Sequence, residues 1–313
     1  MSKKFDLLSI GAWAIYDHLY KLSIYPQNGD TVTLDMPIEA LERVYYGDCS
    51  ANIAAVAAKL GVSSALAMVV GEDFSSSGYK KHLSGLGVDI SAVEVRVGQR
   101  SGHNYLYFDS NGDGFCISHQ GVAAVQSSWV IPENQIRQAT YVVINEKFSE
   151  YTLASAHLAK QSGANVVLNG MVASAGNLAI EFIQLADILF IAESELSNLL
   201  TILNLSSPVQ LVQKYLKVVF ATQGKKGSLV YTPNAVIPVA PVLVEDVVDT
   251  TGAGDGFAAG TLAALIKGFS PSEAAQIGAT VSSFVIQAWG CQTNLPTWDE
   301  MMQRLNKYKE QDR

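Results

Sequence analysis

The chain has 313 residues, 49% of them hydrophobic and only 16% charged, which supplies apolar material for a large folded unit and argues against extensive disorder. Its 21 basic residues against 29 acidic ones give a net charge of −8, and no cluster of Lys/Arg exists that would neutralise nucleic-acid phosphates. The apolar run at residues 7–15 is too short and interrupted for a secretion signal, and no stretch approaches the ~20 apolar residues of a membrane span. Cys49, Cys116 and Cys291 are too far apart for a metal or redox pair. The expectation is a cytoplasmic protein with reduced thiols and neither nucleic acid nor membrane as a partner.

In chain order, continuous apolar runs of strand length occur at residues 5–10, 65–70, 141–144, 165–168, 188–191 and 218–222. Continuous rather than alternating apolarity marks strands buried on both faces, as in a parallel sheet covered by helices. Helical stretches at 50–60, 75–86, 151–161 and 175–185 alternate with them, so the sequence predicts an α/β, doubly wound, mostly parallel sheet flanked by helices. Two segments break this rhythm. Residues 31–36 and 42–46 read as strands with no helix between them, and 102–108 with 114–119 flank Asp109-Ser110-Asn111-Gly112-Asp113, whose Asn-Gly step is a strong hairpin signal. Both read as antiparallel. They predict a small β-sheet lid made from residues 17–47 and 94–120, over a core of 1–16, 48–93 and 121–313.

The run Asp249-Thr250-Thr251-Gly252-Ala253-Gly254-Asp255-Gly256 lies between an apparent strand at 241–248 and a helix at 256–267, which Gly268 stops. A glycine-rich turn at a helix N-terminus offers free N–H groups and the positive end of the dipole to an anion. A carboxylate there would repel a merely bound phosphate. At a phosphoryl-transfer centre it instead accepts the proton of an attacking hydroxyl, while the amides stabilise charge on the transferring group. Asp255 is the expected base, with Gly252, Ala253 and Gly254 as the anion hole. Neither G-x-x-x-x-G-K-[ST] nor G-x-G-x-x-G is matched here, which disfavours P-loop and dinucleotide-binding readings, a dehydrogenase among them.

These residues resemble the ribokinase-like (PfkB) family of carbohydrate and nucleoside kinases. Residues 249–260 are similar to its C-terminal signature, and Tyr46-Gly47-Asp48-Cys49-Ser50-Ala51-Asn52-Ile53-Ala54 to its N-terminal Gly-Gly-x-x-x-Asn-x-Ala motif. Gly71-Glu72-Asp73-Phe74 with Gly87-Val88-Asp89, Thr222-Gln223-Gly224-Lys225-Lys226-Gly227 and Gly290-Cys291 extend the likeness over residues 7–296. The resemblance implies the core-plus-lid architecture and ATP and Mg²⁺ as cofactors, while the exposed edges of a lid sheet predict a homodimer through the lid. It also implies that Asp17, Gly47, Asp48 and Asn52 bind the substrate and that Thr222, Gly224 and Glu195 serve the nucleotide. Asp249, Thr251 and Gly290 would lie beside a monovalent cation such as K⁺. Three departures stand out: Asp48 replaces the second glycine, Ala192 replaces the Asn of Asn-x-x-Glu while Glu195 is kept, and either Tyr16 or Asp17 fills the position of the family's first acid.

Lys21 and Arg43 are the cations between Asp17 and Asn52, fewer than a phosphorylated sugar would need if Arg100 lies elsewhere. The expected activity is therefore transfer of the ATP γ-phosphate to an alcohol group of an uncharged sugar. A nucleoside is the alternative, with Trp13, Tyr16, Tyr45, Tyr46, Tyr105 and Tyr107 as stacking walls. A catalytically impaired sugar- or nucleotide-binding protein, motivated by Asp48 and Ala192, is the second alternative.

Overall fold

The computed structural model describes residues 3–109 and 114–311. Within them, in chain order, run β1 (Phe5–Ile10), β2 (Tyr16–Lys21), β3 (Tyr45–Tyr46), β4 (Ser64–Gly71), β5 (Asp89–Arg96), β6 (His103–Phe108) and β7 (Gly114–His119). They are followed by β8 (Ala139–Asn145), β9 (Asn165–Asn169), β10 (Ile188–Ala192), β11 (Val218–Thr222), β12 (Ser228–Tyr231) and β13 (Val236–Val239). The larger sheet has the order β13-β12-β11-β10-β9-β8-β1-β4-β5, parallel from β11 to β5, with β12 and β13 added antiparallel. The six apolar runs predicted as core strands are all present, four of them lengthened by one to three residues.

Neighbouring residues of one strand feed opposite layers, which is why the strands read as unbroken apolar runs. Leu7, Val143, Val167 and Phe220 pack on one face with the helices Cys49–Lys59, Ala253–Ile266 and Pro271–Val285, while Leu8, Val142, Val166 and Leu168 fill the other. Each such side chain, fully buried, contributes about 1.5–3 kcal/mol. The helix carrying Asp255 is tightly clamped. A Cβ on Gly278 of its neighbour would stand 2.2 Å from Thr261 Oγ1, so only glycine allows this approach.

The sheet reverses direction beside β1: the chain leaves it toward β4 and β5, then returns to β8 on its other side. In open α/β sheets the crevice outside the carboxyl ends of the strands at such a switch point is the binding site. β2, β3, β6 and β7 form the second, four-stranded sheet, ordered β3-β2-β6-β7.

Several local expectations are corrected. Residues 31–36 form no strand; Leu34 makes one bridge to Leu22, because that stretch has exposed side chains on both faces and nothing to pack on. A short helix, Ile38–Leu41, follows Pro37, and only Tyr45–Tyr46 pairs with β2. The second sheet is not wholly antiparallel, since β2 and β6 run parallel. The helix expected at 75–86 is divided into Asp73–Ser76 and Tyr79–Gly85 by Gly78 at φ +86°, and the one at 175–185 begins only at Leu178, after Gly176 at φ +57°. Residues 241–248 are irregular: the strand is Val236–Val239, ending before Pro241, which lacks an N–H for the ladder. The larger sheet keeps the chain as far as Arg96, beyond the boundary expected at residue 94. The hairpin turn expected at 109–113 has its residues 110–113 outside the described residues.

Candidate active site

The helix expected from residue 256 begins at Ala253, so Asp255 lies inside its first turn and is buried. Gly252 caps it at φ +76°, and a Cβ there would stand 2.7 Å from that of Cys291. None of the described residues lies within 4 Å of a Cβ placed on Gly254. That difference separates the two glycines: Gly252 is required by the protein's own packing, whereas the space over Gly254 is left for something else. Thr250, Ala253 and Gly254 line a cavity of about 780 Å³, together with Thr222, Gly224, Phe257 and the irregular 241–248 segment. The expected three-residue anion hole is narrowed. Ala253 N–H donates to Thr250 O at 3.2 Å, and Gly252 is not in the cavity wall, which leaves Gly254 presenting first-turn backbone there.

Asp255 is held from two sides. Asn52 Nδ2 donates to Oδ2 at 2.8 Å, and Asn169 Nδ2 to Oδ1 at 3.2 Å. Burial pushes the Asp255 carboxyl above the usual carboxylate range, while the Asn52, Cys49 and Asn169 hydrogen bonds pull it back. Asn52 stands in the first turns of the Ala-rich helix Cys49–Lys59, and its own Oδ1 accepts from Gln292 Nε2 at 2.8 Å.

The second sheet brings up the opposite wall. Successive strand residues face opposite ways, and Asp17 rather than Tyr16 turns toward the site. Tyr16 OH instead donates to Ser77 Oγ at 2.7 Å. Asp17, Asn104 and Ser118 form a row across β2, β6 and β7. Asn104 Nδ2 donates to Asp17 Oδ1 at 2.9 Å, and Ser118 Oγ to Asn104 Oδ1 at 2.5 Å. Burial raises the Asp17 pKa to about 7 against the pull of the Asn104 hydrogen bond.

Three expectations change at this point. Gly47 offers no free backbone group, because its N–H donates to Ile15 O and its carbonyl accepts from Tyr79 OH at 2.7 Å. A Cβ on Gly47 would sit 2.0 Å from Asp17 Oδ2, so this glycine seats the acid. Asp48 is likewise occupied. Oδ1 caps the helix through Ser50 N and Ala51 N, with Ser50 Oγ close by, and Oδ2 accepts from Trp13 N at 2.8 Å. Its φ of +80° is a glycine-like conformation, and these bonds offset the strain. Glu195 Oε2 accepts from Ala192 N at 3.3 Å as a helix cap and lies outside the cavity wall.

Asp249, Thr251 and Gly290 are brought together: Thr251 N and Gly290 N each donate to the Asp249 carboxylate at 2.9 Å. Among the described residues no group of three His, Cys, Asp or Glu side chains is arranged to hold a metal ion.

Sequence reasoning missed Glu146 and Asn169. Glu146 follows β8 at φ +53°, and its Oε2 is shut off from solvent with no hydrogen-bond partner among the described residues. Burial raises its pKa well above the ordinary value, with the Asp48, Asp255 and Asp17 charges adding to the shift. Both residues sit at the carboxyl end of a strand flanking the switch point, the one signal that would have found them. Asp17, Asp48, Asp249 and Asp255 are buried, Glu146 is half-buried, and none of the five has an ion pair among the described residues. Carboxyls gathered without a counter-ion are costly in a fold and characteristic of a functional centre.

The pfkB family carbohydrate kinase model matches residues 35–298. A nucleoside kinase of Methanocaldococcus jannaschii is 29% identical over 99% of this chain and 100% of its own length. The crystal structure of a nucleoside kinase from that organism, described as an archaeal member of the ribokinase family, superposes with a TM-score of 0.85 and 29% identity, covering 98% of this chain and 100% of the other. Arabidopsis thaliana ribokinase, solved with ribose and ATP, gives a TM-score of 0.78 at 25% identity over 97% and 99% of the two chains. The present chain is a member of the pfkB family of carbohydrate kinases.

Proposed function

We propose that the protein moves the γ-phosphoryl group of ATP to an alcohol group of an uncharged ribosyl compound, with Asp255 as the general base. The observation that carries this is the buried Asp255 carboxylate, oriented by Asn52 and Asn169, one residue from the Gly254 backbone in the cavity wall. Asp255 takes the proton of the acceptor hydroxyl as its oxygen forms a bond to the γ-phosphorus. The bond from that phosphorus to the β–γ bridging oxygen breaks, and ADP leaves with the electron pair. Thr222, Gly224 and the 241–248 segment enclose the nucleotide, and the Gly254 amide faces the transferring group. Asp17, with Glu146 on the sheet's carboxyl edge, accepts hydrogen bonds from the acceptor's hydroxyls, and the second sheet acts as a lid that keeps water out. Mg²⁺ would arrive bound chiefly by the nucleotide phosphates, and K⁺ beside Asp249 would supply a counter-charge that the five acids lack.

The full-length likeness to a nucleoside kinase favours a nucleoside acceptor, and the likeness to a ribokinase solved with ribose keeps the free sugar as the second reading. A catalytically impaired protein is disfavoured: Asp48 keeps the glycine-like backbone, and Glu195 still caps its helix without an Asn at residue 192. A second copy of the chain would cover the outer lid face, where Phe115 and Ile117 are exposed on the edge strand β7.

The test is ADP release with ATP, Mg²⁺ and K⁺ across adenosine, other nucleosides, ribose, fructose and ketodeoxygluconate. Turnover with at least one compound, lost in Asp255→Asn, is expected. Nucleotide binding without phosphorylation of any of them would overturn the proposal.

A further inference from the structure

Gln292 is almost fully buried at 7% exposure, lies outside the cavity wall, and makes three side-chain hydrogen bonds, none of them to Asp255 itself. Their polarity is fixed by chemistry. Nε2 carries two protons and spends them on Asn52 Oδ1 at 2.8 Å and Tyr79 OH at 2.6 Å. Tyr79 can accept because its own proton goes to Gly47 O at 2.7 Å. Oε1 is left to accept, and its partner is His82 Nε2 at 3.1 Å, which therefore carries a proton. Tyr46 stacks on Tyr79 at 4.3 Å and 3° and lies against the His82 ring at 5.2 Å, so neither ring is free to turn away.

The consequence reaches the reacting atoms. An asparagine amide turned the other way would set its carbonyl against the Asp255 carboxylate, acceptor to acceptor. Holding Asn52 Oδ1 with a donor keeps Asn52 Nδ2 on Asp255 Oδ2. The result is one directed chain, His82 N–H to Gln292 carbonyl, Gln292 N–H to Asn52 carbonyl, Asn52 N–H to the Asp255 carboxylate. Aligned hydrogen bonds polarise one another in a low-dielectric interior.

We infer that Gln292 is a positioning residue for phosphoryl transfer, locking Asn52 in the orientation that presents its N–H to Asp255, and that His82 fixes Gln292 from the surface side. This rests on the reading of Asp255 as the general base. It adds to that reading a half-buried histidine on the helix Tyr79–Gly85, outside the cavity wall.

The test is the pH profile of kcat for wild type, Gln292→Met, His82→Leu and His82→Gln, with Asp255→Asn alongside. The base must be ionised to take a proton, and a donated N–H favours its ionised form. A loosened Asn52 therefore raises the Asp255 pKa and moves the acid limb of kcat to higher pH. For Gln292→Met the expectation is kcat lower by about tenfold, an acid limb about half a pH unit higher, and a KM for ATP within about twofold of wild type. His82→Leu moves both in the same direction by less, about threefold in kcat, and His82→Gln, whose amide can donate to Gln292 Oε1, recovers most of the loss. A fall in kcat with an unmoved acid limb would reduce Gln292 to a packing role and overturn the inference. Wild-type kinetics in His82→Leu would overturn it for His82. If Gln292→Met fails to fold, the His82 pair on the surface helix decides alone. Near-normal turnover in Asp255→Asn would sink the base assignment itself, whereas an inactive Asp255→Asn beside wild-type-like Gln292 and His82 variants would sink only the relay.

Discussion

The two walls of the site are built on opposite principles. The wall proposed for the acceptor is wired: Asp17, Asn104 and Ser118 form one hydrogen-bonded row and Asp255, Asn52 and Gln292 another, with Asp17, Asp255, Asn52 and Gln292 buried. The wall proposed for the nucleotide is an open cavity of about 780 Å³ faced by Val242, Leu243, Val244, Val247 and Phe257, with Leu243 74% exposed. A preorganised polar wall fixes one hydroxyl and costs no reorganisation during transfer, whereas an apolar slot accepts a flat ring with little directional demand. Substrate discrimination should thus reside at Asp17 and its neighbours, and nucleotide affinity should be spread over many small contacts.

Substitutions can break or sharpen that contrast. The largest effect is expected from Asp255→Ala, with kcat falling by about a thousandfold once the proton acceptor is gone. Gly254→Ala comes next. Because none of the described residues opposes its Cβ, the melting temperature should not fall, yet kcat/KM for ATP should drop by about tenfold or more as the methyl occupies the phosphate's approach. A parallel loss of stability would show that Gly254 serves the fold instead.

Asp17→Asn should raise the acceptor KM by about tenfold and leave the ATP KM nearly unchanged, since one charge-assisted hydrogen bond is lost on one wall only. The same acid carries a pH signature. Its folded-state pKa, raised to about 7, means the acceptor KM of the wild type should climb as pH falls through 7, where the carboxylate is lost. The linkage sign for stability is the reverse of an ion-paired acid. Asp17 ionises in the unfolded chain at ordinary carboxylate values but resists ionising in the fold, so stability declines from about pH 4 up to about pH 7. Asp17→Asn should therefore melt a few degrees above wild type at pH 8, a trade of stability for function that thermal unfolding can read. The smallest effect belongs to Leu243→Ser, about a threefold rise in the ATP KM with the acceptor KM untouched.

The same contrast explains what the amino-acid order made legible. Strands such as 5–10 and 218–222 announced themselves because burial on both faces needs an unbroken apolar run, and the Gly252–Asp255 turn because few loops place an acid inside an anion cradle. Apolarity misled at 241–248, where the side chains face the cavity rather than a sheet layer. Gly47 and Asp48 were read as ligand contacts, yet their neighbours are supplied by Asp17, Trp13 and Tyr79 from distant parts of the chain. Glu146 and Gln292 carried no local pattern. Their significance comes from what surrounds them, an unpaired carboxyl oxygen in one case and three matched hydrogen-bond partners in the other.

The most direct trial compares binding with chemistry in Asp255→Asn, titrating ATP by calorimetry and following ADP formation with the best acceptor. The variant is isosteric and leaves the Gly254 backbone and the apolar wall in place, so ATP affinity should stay within about threefold of wild type while turnover falls by at least about a hundredfold. Turnover close to that of the wild type would contradict the assignment of Asp255 as the proton acceptor.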